Sequence, residues 1–88
     1  TAFIKEPGLE IGIIEKEKVF FQKIGAGLSL IPLDEKVSGV TITGCKYLLE
    51  AGNLLRYKTR GISNIIEQEK AVITVEKGLL LYVLNQSK

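Results

Sequence analysis

From Leu9 to Leu84, short apolar runs alternate with small polar or glycine-bearing breaks. The breaks include Lys16-Glu17-Lys18, Gly25-Ala26-Gly27, Asp34-Glu35-Lys36, Glu50-Ala51-Gly52-Asn53, Glu67-Gln68-Glu69 and Glu76-Lys77-Gly78. Short strands at this regular spacing predict an all-β fold, a small antiparallel β-sandwich or barrel. Leu9, Ile11 and Ile13 share one face by the two-residue period of a strand, and residues 9–15 and 18–24 read as a hairpin. Residues 27–33 form a further strand closed by Pro32, where a proline suits a strand end or an edge. Val40 and Ile42 alternate with Thr41 and Thr43, and Ala71, Ile73 and Val75 alternate with Val72, Thr74 and Glu76. Leu79 to Leu84 is continuously apolar and is predicted to be covered on both faces, with Lys77-Gly78 as a tight turn before it.

Two windows carry both periods. Cys45, Leu48, Leu49 and Gly52 are spaced for one helical face, yet a glycine inside a helix costs about 1 kcal/mol. Glu50-Ala51-Gly52-Asn53 reads better as a hairpin turn between Tyr47-Leu48-Leu49 and Leu54-Leu55-Arg56. Ile62, Ile65 and Ile66 pose the same choice over 62–70. Strand is the favoured reading in both; the alternative is an α+β domain with two short helices within 45–70. The domain plan is an N-terminal arm over 1–8, one β domain over 9–84 and a tail over 85–88. Pro7-Gly8 marks a turn and blocks a helix there.

Composition narrows the function classes. The 88 residues suffice for one small domain, 45% of them are hydrophobic, and the mean hydropathy is +0.19. Small domains bury a limited share of their surface, so this apolar excess predicts burial against other copies, a homo-oligomer. Twelve Lys and Arg balance ten Asp and Glu, for a net charge of +2. A domain-wide basic footprint for nucleic acid is missing, and any such binding must use a local patch. One cysteine and no histidine preclude an intrachain disulfide and leave no common zinc-ligand set. Without a nucleophile–base pair, a phosphate loop or a cofactor motif, the residues suggest a non-catalytic binding or assembly module with no cofactor. No apolar run reaches the ~20 residues a membrane-spanning helix needs, and no secretory signal opens the chain. A cytoplasmic protein is the expectation.

Candidate chemistry is sparse. Arg56, Lys58 and Arg60 fall on one face of a strand and form a cation stripe that would hold phosphates or RNA; a solvated or charge-protected edge is the plainer reading. Gly25-Ala26-Gly27 lacks the context of a dinucleotide fingerprint and reads as a turn. Cys45 has no histidine to activate it and reads as a buried structural thiol. The pairs Glu15/Glu17 and Glu67/Glu69 read as solvated.

The succession Gly27-Leu28-Ser29-Leu30-Ile31-Pro32-Leu33, Leu49-Glu50-Ala51-Gly52-Asn53-Leu54-Leu55, Ser63-Asn64-Ile65, Lys70-Ala71-Val72-Ile73 and Gly78-Leu79-Leu80 resembles the tryptophan RNA-binding attenuation protein family over roughly residues 19–80. The resemblance implies a sandwich whose sheets continue between subunits around a ring. It also implies a regulator with a small ligand held between neighbours, and Thr59 and Ser63 lie near the ligand-contacting stretch. The three basic positions by which that family reads RNA hold Leu48, Ile66 and Gln68, so RNA binding would need the stripe at Arg56, Lys58 and Arg60. A third reading is a small enzyme or enzyme subunit.

Overall fold

The computed structural model describes residues 2–56 and 62–86. Nine strands run through them: β1 (Ala2–Glu6), β2 (Leu9–Ile14), β3 (Glu17–Phe21), β4 (Gly27–Pro32), β5 (Lys36–Thr43), β6 (Leu49–Leu55), β7 (Ile62–Ile65), β8 (Lys70–Thr74) and β9 (Leu80–Asn85). They make two antiparallel sheets, one five-stranded in the order β1-β2-β9-β4-β7 and one four-stranded in the order β3-β8-β5-β6. The all-β sandwich is therefore the fold, and the described parts of 45–57 and 62–70 contain strands and loops rather than helices.

Alternation explains the layer between the sheets. From β4 and β9 the inward positions Leu28, Leu30, Leu80, Tyr82 and Leu84 are fully buried. Facing them are Phe20 of β3, Ala71 and Ile73 of β8, and Val37, Val40 and Ile42 of β5. Each Val, Leu, Ile or Phe side chain among them, moved from water into this layer, contributes about 1.5–3 kcal/mol. Threonines alternate outward on β5 and β8, as the two-residue period requires.

Several pairings differ from the sequence reading. The runs expected as a hairpin, now β2 and β3, lie in different sheets: β2 pairs with β9 and β3 with β8. Lys77-Gly78 likewise crosses between sheets from β8 to β9 rather than closing a hairpin. Glu50–Asn53 is not a turn but lies within β6, beside β5, where shifts of register absorb extra residues as bulges. Ala51 there takes the left-handed φ of 49°. Within the stretch read as an arm, residues 2–6 pair with β2 as an edge strand. Leu79–Leu84 is central, yet covered on one face alone: Leu80, Tyr82 and Leu84 are buried while Leu81 and Val83 stay half-exposed.

A mixed polar–aromatic cluster joins the sheets near one edge. The Tyr82 hydroxyl donates to the Glu10 carboxylate at 2.5 Å, and Lys18 Nζ lies 3.5 Å from the same oxygen. The ammonium also sits 5.5 Å from the ring centres of Phe20 and Tyr82, which pack edge to face at 5.3 Å. This cluster ties β2 and β9 to β3.

Candidate functional site

The candidate site is built on a loop, residues 44–48, between β5 and β6. Asn64 of β7 holds it. Asn64 is the buried polar side chain among the described residues, 3% exposed. Its Oδ1 accepts from the Tyr47 amide at 2.9 Å and from the Ile65 amide at 2.9 Å. Its Nδ2 donates to the Tyr47 carbonyl at 2.7 Å. The side chain thus continues a strand-like pairing that the backbone begins, where the Lys46 amide donates to the Ile65 carbonyl at 2.8 Å. On the other flank, the Gly44 carbonyl accepts from the amides of Glu67 at 2.9 Å and Gln68 at 3.1 Å. Gly44 has a φ of +78°, and a Cβ there would collide with the Lys70 carbonyl, so this close approach requires glycine.

A loop pinned on both flanks presents its next two side chains outward. Tyr47 is 55% exposed and Leu48 71% exposed. Lys46 Nζ lies 5.4 Å from the Tyr47 ring centre. Beside Leu48 runs a groove of about 320 Å³ lined by Thr41, Ile42, Thr43, Leu48, Leu49 and Glu50. It combines an aliphatic wall, two threonines and a carboxylate, with the Thr41 hydroxyl accepting from the Ala51 amide at 3.0 Å. Such a lining suits a small heterocycle carrying positive charge: apolar contact for the ring, hydroxyls for its polar atoms and Glu50 against its charge. Two larger clefts, about 480 and 410 Å³, open at the far end of the sandwich. Ile13 and Leu79 line them together with the charged residues Glu15, Lys16, Glu17, Glu76 and Lys77.

The residues singled out from sequence do not converge here. Arg56 sits at the far end, its Nη1 donating to the Leu33 carbonyl at 3.0 Å and its amide to the Glu35 carbonyl at 3.0 Å. Lys58, Thr59 and Arg60 lie outside the described residues. Ser63 is exposed on β7, next to Asn64 and facing away from the core. Cys45 is buried, and burial together with the nearby Glu67 carboxylate pushes its thiol pKa up, away from the reactive thiolate. Tyr47, Thr41, Thr43 and Glu50 were not singled out. The available signal was Asn64, a polar residue between isoleucines at the inward period of a strand.

Fold and groove together define a small two-sheet β-sandwich domain with a ligand-sized groove at one end. The family model for the thiamin pyrophosphokinase, vitamin B1 binding domain matches residues 11–80, and the chain belongs to that family. Crystal structures of thiamin pyrophosphokinases from Geobacillus thermodenitrificans and Bacillus subtilis are similar, with TM-scores of 0.81 and 0.78 at 24% and 23% identity. A thiamin pyrophosphokinase family protein from Enterococcus faecalis gives a TM-score of 0.73 at 17% identity. At these identities the likeness speaks to the fold. In each case 92% of this chain is covered, but 38%, 39% and 38% of the other, so it spans well under half the length of those proteins. No curated protein sequence matches the chain.

The family match overturns three expectations. The chain is not a member of the tryptophan RNA-binding attenuation protein family, because the matched glycine and aliphatic words belong to strands that many β proteins share. The regulatory and RNA-binding readings fall with it. The non-catalytic reading is corrected as well, since the family is a domain of an enzyme; the reading as an enzyme or enzyme subunit is the one it supports. Among the described residues no helix is long and apolar enough to cross a membrane.

Proposed function

We propose that this domain binds thiamin in the groove beside the pinned loop and serves as the vitamin-holding part of a thiamin pyrophosphokinase in the cytoplasm. The observation that carries the reading is the family match over residues 11–80, together with a groove whose chemistry suits the vitamin. Thiamin joins a permanently cationic thiazolium to an aminopyrimidine and ends in a hydroxyl. Glu50 would face the cation, Leu48 and Leu49 the ring edges, and Thr41 and Thr43 the polar atoms. Ser63 faces the opposite side of the sandwich and takes no part in this groove.

Isothermal titration of the purified chain with thiamin tests the reading. Saturable binding at one site is expected, weakened at least about tenfold by Glu50→Lys, which sets like charges against each other. Absence of binding, or equal binding by Glu50→Lys, would overturn it.

A further inference from the structure

The groove beside the pinned loop is open along one side. Two of its lining residues, Thr41 and Thr43 of β5, belong to the outer face of the four-stranded sheet, which continues across β8 to β3. Register fixes what comes next. Thr43 stands opposite Val72, and Val72 opposite Val19; Thr41 stands opposite Thr74, and Thr74 opposite Glu17. Residues directly opposite in an antiparallel pair project to the same side, with Cβ atoms about 4.5–5.5 Å apart. Two rows therefore lead out of the groove, one apolar beyond Thr43 and one bearing hydroxyls. Val19, Val72 and Thr74 are half-buried, whereas the charged Glu17 and Lys70 at the margins are exposed.

We infer, resting on the thiamin-binding reading, that this strip is a second subsite of the groove: the thiazolium lies against Glu50 and the aminopyrimidine over Val72, with the Thr74 hydroxyl as its hydrogen-bond partner. Neighbouring strands lie ~4.8 Å apart, a step that two flat rings joined by one methylene can span. One ring in the groove between β5 and β6 thus brings the other over β8. The pyrimidine is flat and neutral. Val72 and Val19 give it an apolar floor, and a threonine hydroxyl serves a ring nitrogen as donor or the amino group as acceptor. Thr41 is the poorer partner, because its oxygen already accepts from the Ala51 amide. The reverse placement would set the cation over two valines and the Glu50 carboxylate against a neutral ring. Size agrees: the groove of about 320 Å³ is at the small end for a ligand pocket, as suits a ligand that overhangs it.

Amide chemical-shift titrations with two probes test this: thiamin, and its thiazolium half alone, methylated at nitrogen. Thiamin is expected to move the amides of Val72 and Thr74 together with those of the groove, and the thiazolium those of the groove alone. Thr74→Val removes the hydroxyl and keeps the shape; it is expected to weaken thiamin about fivefold, the loss of one hydrogen bond. Val72→Gln removes the apolar floor without adding charge and is expected to weaken thiamin about tenfold. Neither variant should change the affinity for the thiazolium, and circular dichroism confirms that both fold. Thiamin that shifts the groove but leaves Val72 and Thr74 still, and binds both variants as it binds the wild type, would overturn the subsite and leave the thiamin reading standing. An equal loss of affinity for thiamin and thiazolium would also overturn it, since the variants would then have disturbed the groove itself. No shifts with either probe would overturn the subsite and the thiamin reading together.

Discussion

At the residue scale, Asn64 and Ala51 show how single backbone demands shape the site. Asn64 makes three hydrogen bonds inside the protein, two of them to the Tyr47 backbone. Truncation to alanine strands a donor and an acceptor of that backbone in partly buried surroundings, at a cost of about 1–3 kcal/mol. Asn64→Ala should lower the urea midpoint accordingly and speed hydrogen exchange at Lys46 and Tyr47. Unchanged exchange there would show that the loop is held by other contacts. Ala51 holds a φ of 49° on an exposed bulge, where a Cβ is unfavourable. Ala51→Gly relieves that strain but enlarges the freedom of the unfolded chain. The expected balance is a gain of about 0.5–1 kcal/mol, read by thermal unfolding. The turn predicted at Glu50–Asn53 was the right signal in the wrong place: the same residues that make turns also make bulges, and pairing with β5 decides between them.

At the element scale, the cluster joining β2, β9 and β3 makes stability depend on pH at both extremes. The Tyr82 hydroxyl, aided by Lys18 and Lys5 and opposed by partial burial, holds the Glu10 carboxyl below its ordinary pKa of 4.5. A depressed folded-state pKa contributes stability that is present above the unfolded value and lost as pH falls through the folded one. Burial, and then the Glu10 carboxylate, push the Tyr82 hydroxyl well above its ordinary 10.0. That contribution is complete below pH about 10 and is lost as pH rises beyond it. Urea midpoints should therefore decline below pH 4.5 and above pH 10, and Glu10→Gln should flatten the acid limb. An acid limb identical in Glu10→Gln would remove Glu10 as its source. Strand identity was legible in the chain because buried positions recur every second residue in Ala71–Val75 and, on either side of a break at Gly39–Val40, in Val37–Thr43. Partner choice was not. Leu9, Ile11 and Ile13 form an apolar face in sequence, but it lies outside the sandwich, and β2 turns Gly12 and Ile14 inward instead. Periodicity gives two faces and no rule for which one the core will take.

At the scale of the whole molecule, the two ends of the sandwich have separate characters. One end carries the pinned loop, the groove and the exposed Tyr47 and Leu48; the other carries charged turns and the Arg56 anchor. The site was hidden in sequence because it is assembled across distance: Tyr47 and Asn64 are 17 residues apart, and their contact exists after the sheets form. The proposed binding of the vitamin would call on shape, hydroxyls and a carboxylate, which leave no spaced set of acids and bases in the sequence. Mapping amide chemical shifts while thiamin is added to the folded chain tests this account most directly. The prediction is that the amides of Thr43, Lys46, Tyr47, Leu48 and Glu50 move together with one saturation curve. Shifts confined to the cleft around Glu15, Lys16 and Lys77, or no shifts at millimolar thiamin, would contradict it.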